Sequence, residues 1–120
     1  MKINFKATNL QLTPEILDYC RDKFNHLDKF IPDDESVFMD VELGKTTQHH
    51  KHGEIFRTEV NLHTANGHFR AEAVAEDLYS AIDETKDELS AEVKRYRRKR
   101  GALIRRGGRL IKNLLKKIYG

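Results

Sequence analysis

Phe56-Arg57-Thr58-Glu59-Val60-Asn61-Leu62-His63-Thr64-Ala65-Asn66-Gly67-His68-Phe69-Arg70-Ala71-Glu72-Ala73-Val74-Ala75 is the stretch whose reading decides the fold. Phe56, Thr58, Val60, Leu62 and Thr64 alternate with Arg57, Glu59, Asn61 and His63, the period-two pattern of a strand with one buried face. Asn66-Gly67 follows, and both residues tolerate the positive φ that a tight type I′ hairpin turn demands. With the turn there, Thr64 faces Phe69, Leu62 faces Ala71, Val60 faces Ala73 and Thr58 faces Ala75. One face of the returning strand is then Phe69, Ala71, Ala73 and Ala75. Three alanines leave room for a helix to approach the sheet closely.

Working outward, Val37, Met39, Val41 and Leu43 alternate with Phe38, Asp40 and Glu42, which predicts another strand before the hairpin. Ile3, Phe5 and Ala7 alternate with Lys2, Asn4, Lys6 and Thr8 and predict a first strand. Between them, Thr13-Pro14-Glu15 opens a helix. Thr13 can cap free backbone N–H groups, Pro14 loses nothing in the first turn, and Glu15 complements the positive helix end. Ile16, Leu17, Cys20, Phe24 and Leu27 follow at helical spacing, and Ile31-Pro32 ends the run. After the hairpin, Asp77 is placed to cap a second helix with Leu78, Ala81, Ile82, Thr85, Leu89, Val93 and Tyr96 on one stripe. The expected fold class is α+β, in the order β-α-β-β-β-α. It is a four-stranded sheet with two helices on one face, followed by a basic C-terminal tail. The first two strands are expected to be parallel with a right-handed crossover.

The division expected is a domain over residues 1–100 and a tail over 101–120. Gly101 and Gly107-Gly108 are read as interruptions of the second helix. From Arg109 to Tyr119, Leu110, Ile111, Leu114, Leu115 and Ile118 make one face, with Arg109, Lys112, Lys116 and Lys117 on the other. So short a helix is marginal alone in water, so the tail is expected to order only against a partner.

Across 120 residues, 22 Lys+Arg against 19 Asp+Glu give a net charge of only +3. That figure hides a division. Lys94 to Gly120 holds twelve basic residues and no acid, leaving ten basic and nineteen acidic residues before it. An acidic body carries a basic end. No apolar run approaches the roughly 18 residues that span a bilayer, and Met1–Lys6 lacks the apolar stretch of a secretory signal. A single cysteine forms no internal disulfide and fits a reducing compartment, so the expected location is cytoplasmic.

Nothing in the residues supports catalysis. Gln48-His49-His50-Lys51-His52 has the look of a metal cluster, since imidazoles bind zinc. A closed structural site wants four spaced ligands, however, and this segment reads as a solvated loop that gains positive charge as pH falls. Cys20 lies on an apolar stripe and reads as a buried, inert thiol. Ser36, Ser80 and Ser90 sit in no nucleophile motif, and Gly107-Gly108 is no phosphate-cradling loop. No enzyme, cofactor, metal or small-molecule substrate is expected.

The basic block is what remains. Lys94, Arg95, Arg97, Arg98, Lys99 and Arg100 fill six of seven positions, and Arg105, Arg106 and Arg109 extend the run. A helix C-terminus favours a few cations, but this density exceeds what the helix dipole rewards. It repels itself and is relieved by a polyanion, which releases counterions as it binds. Arg outnumbers Lys seven to five in the block, and the planar guanidinium suits bidentate phosphate contact and stacking on unpaired bases, which points to RNA.

Leu12-Thr13-Pro14-Glu15-Ile16, the hairpin Asn66-Gly67 leading into Phe69-Arg70-Ala71, and Glu76-Asp77-Leu78-Tyr79-Ser80-Ala81-Ile82-Asp83 together resemble the ribosome hibernation promoting factor and ribosome-associated inhibitor family, over about residues 1–100. The resemblance implies a factor that binds the small ribosomal subunit between head and body. There it overlaps the messenger RNA and the A-site and P-site transfer RNA positions, keeping ribosomes intact but idle during starvation or stationary phase. It also implies contacts to ribosomal RNA from both helices, at Lys23 and Lys29 in the first and Arg95 and Lys99 in the second. Where relatives tend to be basic, this chain has His26, Glu88 and Ala91, and Lys94, Arg97, Arg98 and Arg100 move positive density toward the helix end. The chain looks like a short form, without the second domain that pairs ribosomes in the long form. Its partners are then the small subunit and its RNA, or ribosome dimers formed with another factor. Two competing readings are a general double-stranded-RNA module and an adaptor docking a protein or membrane through Leu110, Leu114 and Ile118.

Overall fold

A computed structural model describes residues 1–31, 34–47, 53–65 and 67–119, with side chains except at 47, 104 and 108–119. The elements run β1 (Lys2–Thr8), α1 (Pro14–Asn25), β2 (Phe38–Thr47), β3 (Glu54–Thr64), β4 (Gly67–Ala75) and α2 (Leu78–Tyr119), with a short 3-10 turn at Asp28–Phe30. The sheet order is β1-β2-β3-β4; β1 pairs parallel to β2, and the other pairs are antiparallel. The α+β architecture read from the sequence is therefore present.

Local chemistry explains the helix starts. The backbone N–H of Ile16 donates to Thr13 Oγ1 at 3.3 Å, and that of Ser80 donates to Asp77 Oδ2 at 3.2 Å. Both caps satisfy donors that the first helical turn leaves free. The apolar stripes then meet. Cys20, Phe24 and Leu27 from the α1 side, Leu78, Ile82, Leu89 and Val93 from α2, and Met39, Val41, Leu43, Val60, Leu62 and Ala71 from the sheet form one core. Every one of these strand residues points to the same face, so both helices cover one side of the sheet. Burial pushes the Cys20 thiol up to about 12, as befits a structural cysteine.

Two expectations are corrected. First, the hairpin pairs Thr64 with Gly67, Leu62 with Phe69, Val60 with Ala71 and Thr58 with Ala73, so the turn lies one residue earlier than read. Thr64 Oγ1 donates to the Gly67 carbonyl at 2.8 Å, closing the hairpin at that pair. Asn66 itself lies outside the described residues. Moving the turn by one residue slips the register by two, and a slip of two keeps every side chain on its face. The alanine face therefore survives the error, and α2 packs over β4 with Tyr96 edge-on to Phe69 at 5.2 Å. Second, Gly101, Gly107 and Gly108 do not interrupt α2, which continues to Tyr119. Each glycine costs about 1 kcal/mol against alanine, but extending a helix already nucleated on the sheet avoids the costly first turn.

The interface between β3 and α2 contains a buried polar pair. The Thr85 hydroxyl donates to the Ala81 carbonyl at 2.7 Å and lies 3.2 Å from the Thr58 carbonyl. Thr58 Oγ1 is fully buried and has no hydrogen-bond partner among the described residues. An unpaired buried hydroxyl is costly, so Thr58→Val is expected to stabilise the fold by about 1 kcal/mol. A thermal melt checks this; a melting temperature equal to or below that of the wild type contradicts it.

The opposite sheet face is polar and ion-paired. Glu59 accepts hydrogen bonds from Arg70 at 3.1 Å, from Asn61 at 3.1 Å and from Arg57. Arg57 Nε also donates to Glu72 at 2.6 Å. These bonds, that of Arg70 foremost, hold the Glu59 carboxyl down to about 2, and Arg57 lowers that of Glu72. A carboxylate depressed on folding stabilises above its unfolded value, and the contribution disappears as pH falls through the folded value. Denaturation midpoints are thus expected to drop between pH 4.5 and about 2. Glu59→Gln should flatten that part of the profile; an unchanged slope in the variant refutes the assignment.

Candidate nucleic-acid interface

The end of α1 and the middle of α2 build a basic groove. Lys23 sits in the last turn of α1, where a cation complements the negative helix end. The helix stops at Asn25, and the following 3-10 turn sets Lys29 and Phe30 against α2. On α2, Lys86, Ser90 and Lys94 recur every four residues and form one row on the flank toward α1. With Lys23, His26, Leu27, Lys29 and Phe30 they line an open depression of about 190 Å³.

Phe30 is the hub of this site. Its ring centroid is 5.1 Å from Lys29 Nζ and 4.8 Å from Lys94 Nζ, both in cation–π range. Lys23 Nζ lies 3.5 Å from Asp83 Oδ1 and 5.4 Å from the Tyr19 ring. The Tyr19 hydroxyl donates to that same Asp83 oxygen at 2.6 Å, and the bond, with burial, pushes the hydroxyl up to about 12. Tyr19 also meets Tyr79 edge-on at 4.8 Å. This clamp joins the helices beside the groove.

Of the residues singled out from sequence, the fold gathers Lys23, Lys29 and Lys94 in the groove. Lys29 belongs to the 3-10 turn rather than to the first helix. Arg95 is elsewhere, pairing with Glu92 at 2.7 Å along α2. Arg97, Arg98, Lys99 and Arg100 are exposed and, at about 100° per residue, point around the whole helix rather than to one side. Arg105 and Arg106 are exposed on its extension, and the Arg109 side chain lies outside the described residues. So do those of Leu110, Leu114 and Ile118, and the whole His49-His50-Lys51-His52 segment. Among the described residues no group of His, Cys, Asp and Glu could hold a metal ion, and no helix is long and apolar enough to cross a membrane.

Sequence reasoning missed Lys86, Ser90 and Phe30. The four-residue spacing of Lys86, Ser90 and Lys94 was a usable signal for the first two. The position of Phe30 depends on the turn after α1, which periodicity does not reveal. Of the three departures from the family pattern, His26 lies in the groove, whereas Glu88 and Ala91 do not line it.

Comparison with known proteins gives a consistent picture. The chain is 28% identical over 99 residues to a ribosome hibernation promoting factor of Klebsiella oxytoca, spanning 96% of that protein. It is 31% identical over 97 residues to a ribosome hibernation promotion factor of Lactococcus lactis, of which it spans 50%. The crystal structure of the Thermus thermophilus Protein Y N-terminal domain superposes with a TM-score of 0.68 at 32% identity, covering 80% of this chain and 99% of that one. A ribosomal subunit interface protein from Coxiella burnetii shares the fold, with a TM-score of 0.65 at 14% identity over 81% of this chain and 98% of that one. A family model described as Sigma 54 modulation protein / S30EA ribosomal protein matches residues 3–101, and the chain belongs to that family.

Proposed function

We propose that this chain is a cytoplasmic, ribosome-associated factor that keeps ribosomes idle by occupying the decoding channel of the small subunit. There it excludes messenger RNA and the A-site and P-site transfer RNAs. The observation that carries this reading is the convergence of Lys23, Lys29, Lys86 and Lys94 on one groove of an otherwise acidic body. Phosphates of ribosomal RNA are the polyanion such a groove suits. The names of the Klebsiella and Lactococcus relatives support a hibernation role. Arg97, Arg98, Lys99, Arg100, Arg105, Arg106 and Arg109 extend the same grip along α2, with Arg95 contributing least because Glu92 already pairs with it.

The test is a chemical footprint of the full chain on purified small subunits. Protection of the decoding channel is the expected result. Protection confined to another surface, or none at low salt, overturns the proposal.

A further inference from the structure

We propose that the depression around Phe30 seats one unpaired nucleotide of an RNA strand, its base on the Phe30 ring and its flanking phosphates held by Lys29, Lys94 and Lys86. The inference rests on the RNA-binding reading above and names the feature of RNA that the groove selects.

A surface that grips only a phosphate backbone needs cations and no ring. Here a partly exposed phenyl group stands among four ammonium groups at the mouth of an open depression. One side of Phe30 packs on the core, which fixes the ring. Lys29 and Lys94 lie over that ring and make no ion pair among the described residues, so each is free to follow a phosphate. A base sliding onto the ring displaces an ammonium toward the phosphate that arrives with it, so the cation–π contact is exchanged for a charge-assisted hydrogen bond. The depression, about 190 Å³, has room for roughly six waters' share of liquid volume. Ser90, only 8% exposed, and His26 supply polar groups at its wall for a base edge. A duplex hides its base faces, so the partner chemistry is single-stranded or looped RNA.

Stacking and phosphate contact leave different signatures in a salt series. A stacked base shifts affinity equally at every salt concentration, whereas a lost phosphate contact lowers the salt slope. The probe is a single-stranded adenylate dodecamer binding the full-length protein, with a duplex of the same length as comparison. Phe30→Leu, which keeps an apolar side chain against the core, is expected to weaken single-strand binding about 5- to 100-fold with an unchanged slope. Phe30→Tyr retains the ring and should bind like the wild type. Lys94→Ala should reduce the slope by about one.

The nucleotide seat is refuted if Phe30→Leu binds the single strand like the wild type. It is equally refuted if Phe30→Tyr loses as much as Phe30→Leu, or if the duplex shows the same dependence on Phe30. Co-sedimentation of Phe30→Leu with ribosomes separates this failure from that of the function proposed above. Ribosome binding with no effect of Phe30 removes only the nucleotide seat. A Phe30-dependent single-strand affinity without small-subunit binding removes only the ribosomal assignment.

Discussion

Affinity of the full chain for the small ribosomal subunit is expected to fall roughly a thousandfold as salt rises from 50 to 200 mM. Six engaged phosphates suffice for that drop, because each releases condensed counterions when a Lys or Arg neutralises it. The structure supplies six well-placed cations before the extension of α2 is considered: Lys23, Lys29, Lys86 and Lys94 around the groove, and Arg97 and Arg98 just beyond it. Sedimentation with ribosomes over a salt series measures the slope. Lys94→Ala should lower it by about one, and adding Lys86→Ala should lower it by less than one more, because Lys86 lies 3.7 Å from Asp87. Arg95→Ala, which releases a cation already paired with Glu92, should lower it by less than one. Truncation after Arg100 should lower it further while leaving the melting temperature of the body nearly unchanged. Affinity that is flat in salt contradicts an electrostatic grip altogether.

The second large effect is on folding. Phe24 is fully buried where α1 meets the sheet, and Phe24→Ala is expected to cost about 3–5 kcal/mol. Domains of this size have only about 5–15 kcal/mol in total, so a melting temperature lower by more than ten degrees should follow. Circular dichroism checks this, with Phe24→Leu as the milder truncation for comparison. A loss under about 1 kcal/mol would mean the α1 seam contributes little. Phe24 also sits between Lys23 and His26 in the chain, so loosening it disorders one wall of the groove. Ribosome binding should weaken in Phe24→Ala even at temperatures where most molecules remain folded.

Strands and helix starts were legible because their signals are local. Ile3, Phe5 and Ala7 alternate, Thr13 and Asp77 cap, and no distant partner is needed to see either. The hairpin register was less so, because Asn66-Gly67 suits a turn but the pairing is decided over the whole ladder. The end of α2 was misread for a related reason. Glycine propensity would end a helix that the last residues had to nucleate alone, whereas they extend one that the sheet already holds. The groove was only half visible. Lys94 belongs to a conspicuous run, but Lys86 and Phe30 join it through packing between segments more than fifty residues apart.

The continuity of α2 sets a phase. A helix of 42 residues is about 63 Å long, and the structure extends 72 Å along its longest axis. Tyr96 still touches the sheet, whereas Leu103 is 65% exposed, so the free part starts between them. Because no joint separates the two parts, the direction in which Arg105 and Arg106 point is locked to the orientation of the folded body. Adding one residue after Arg98 turns both by about 100° about the helix axis, and adding seven returns them almost to their original bearing about 10 Å farther out. Tolerance of length change in this segment is therefore periodic: what matters is the remainder after whole turns, not the number of residues gained.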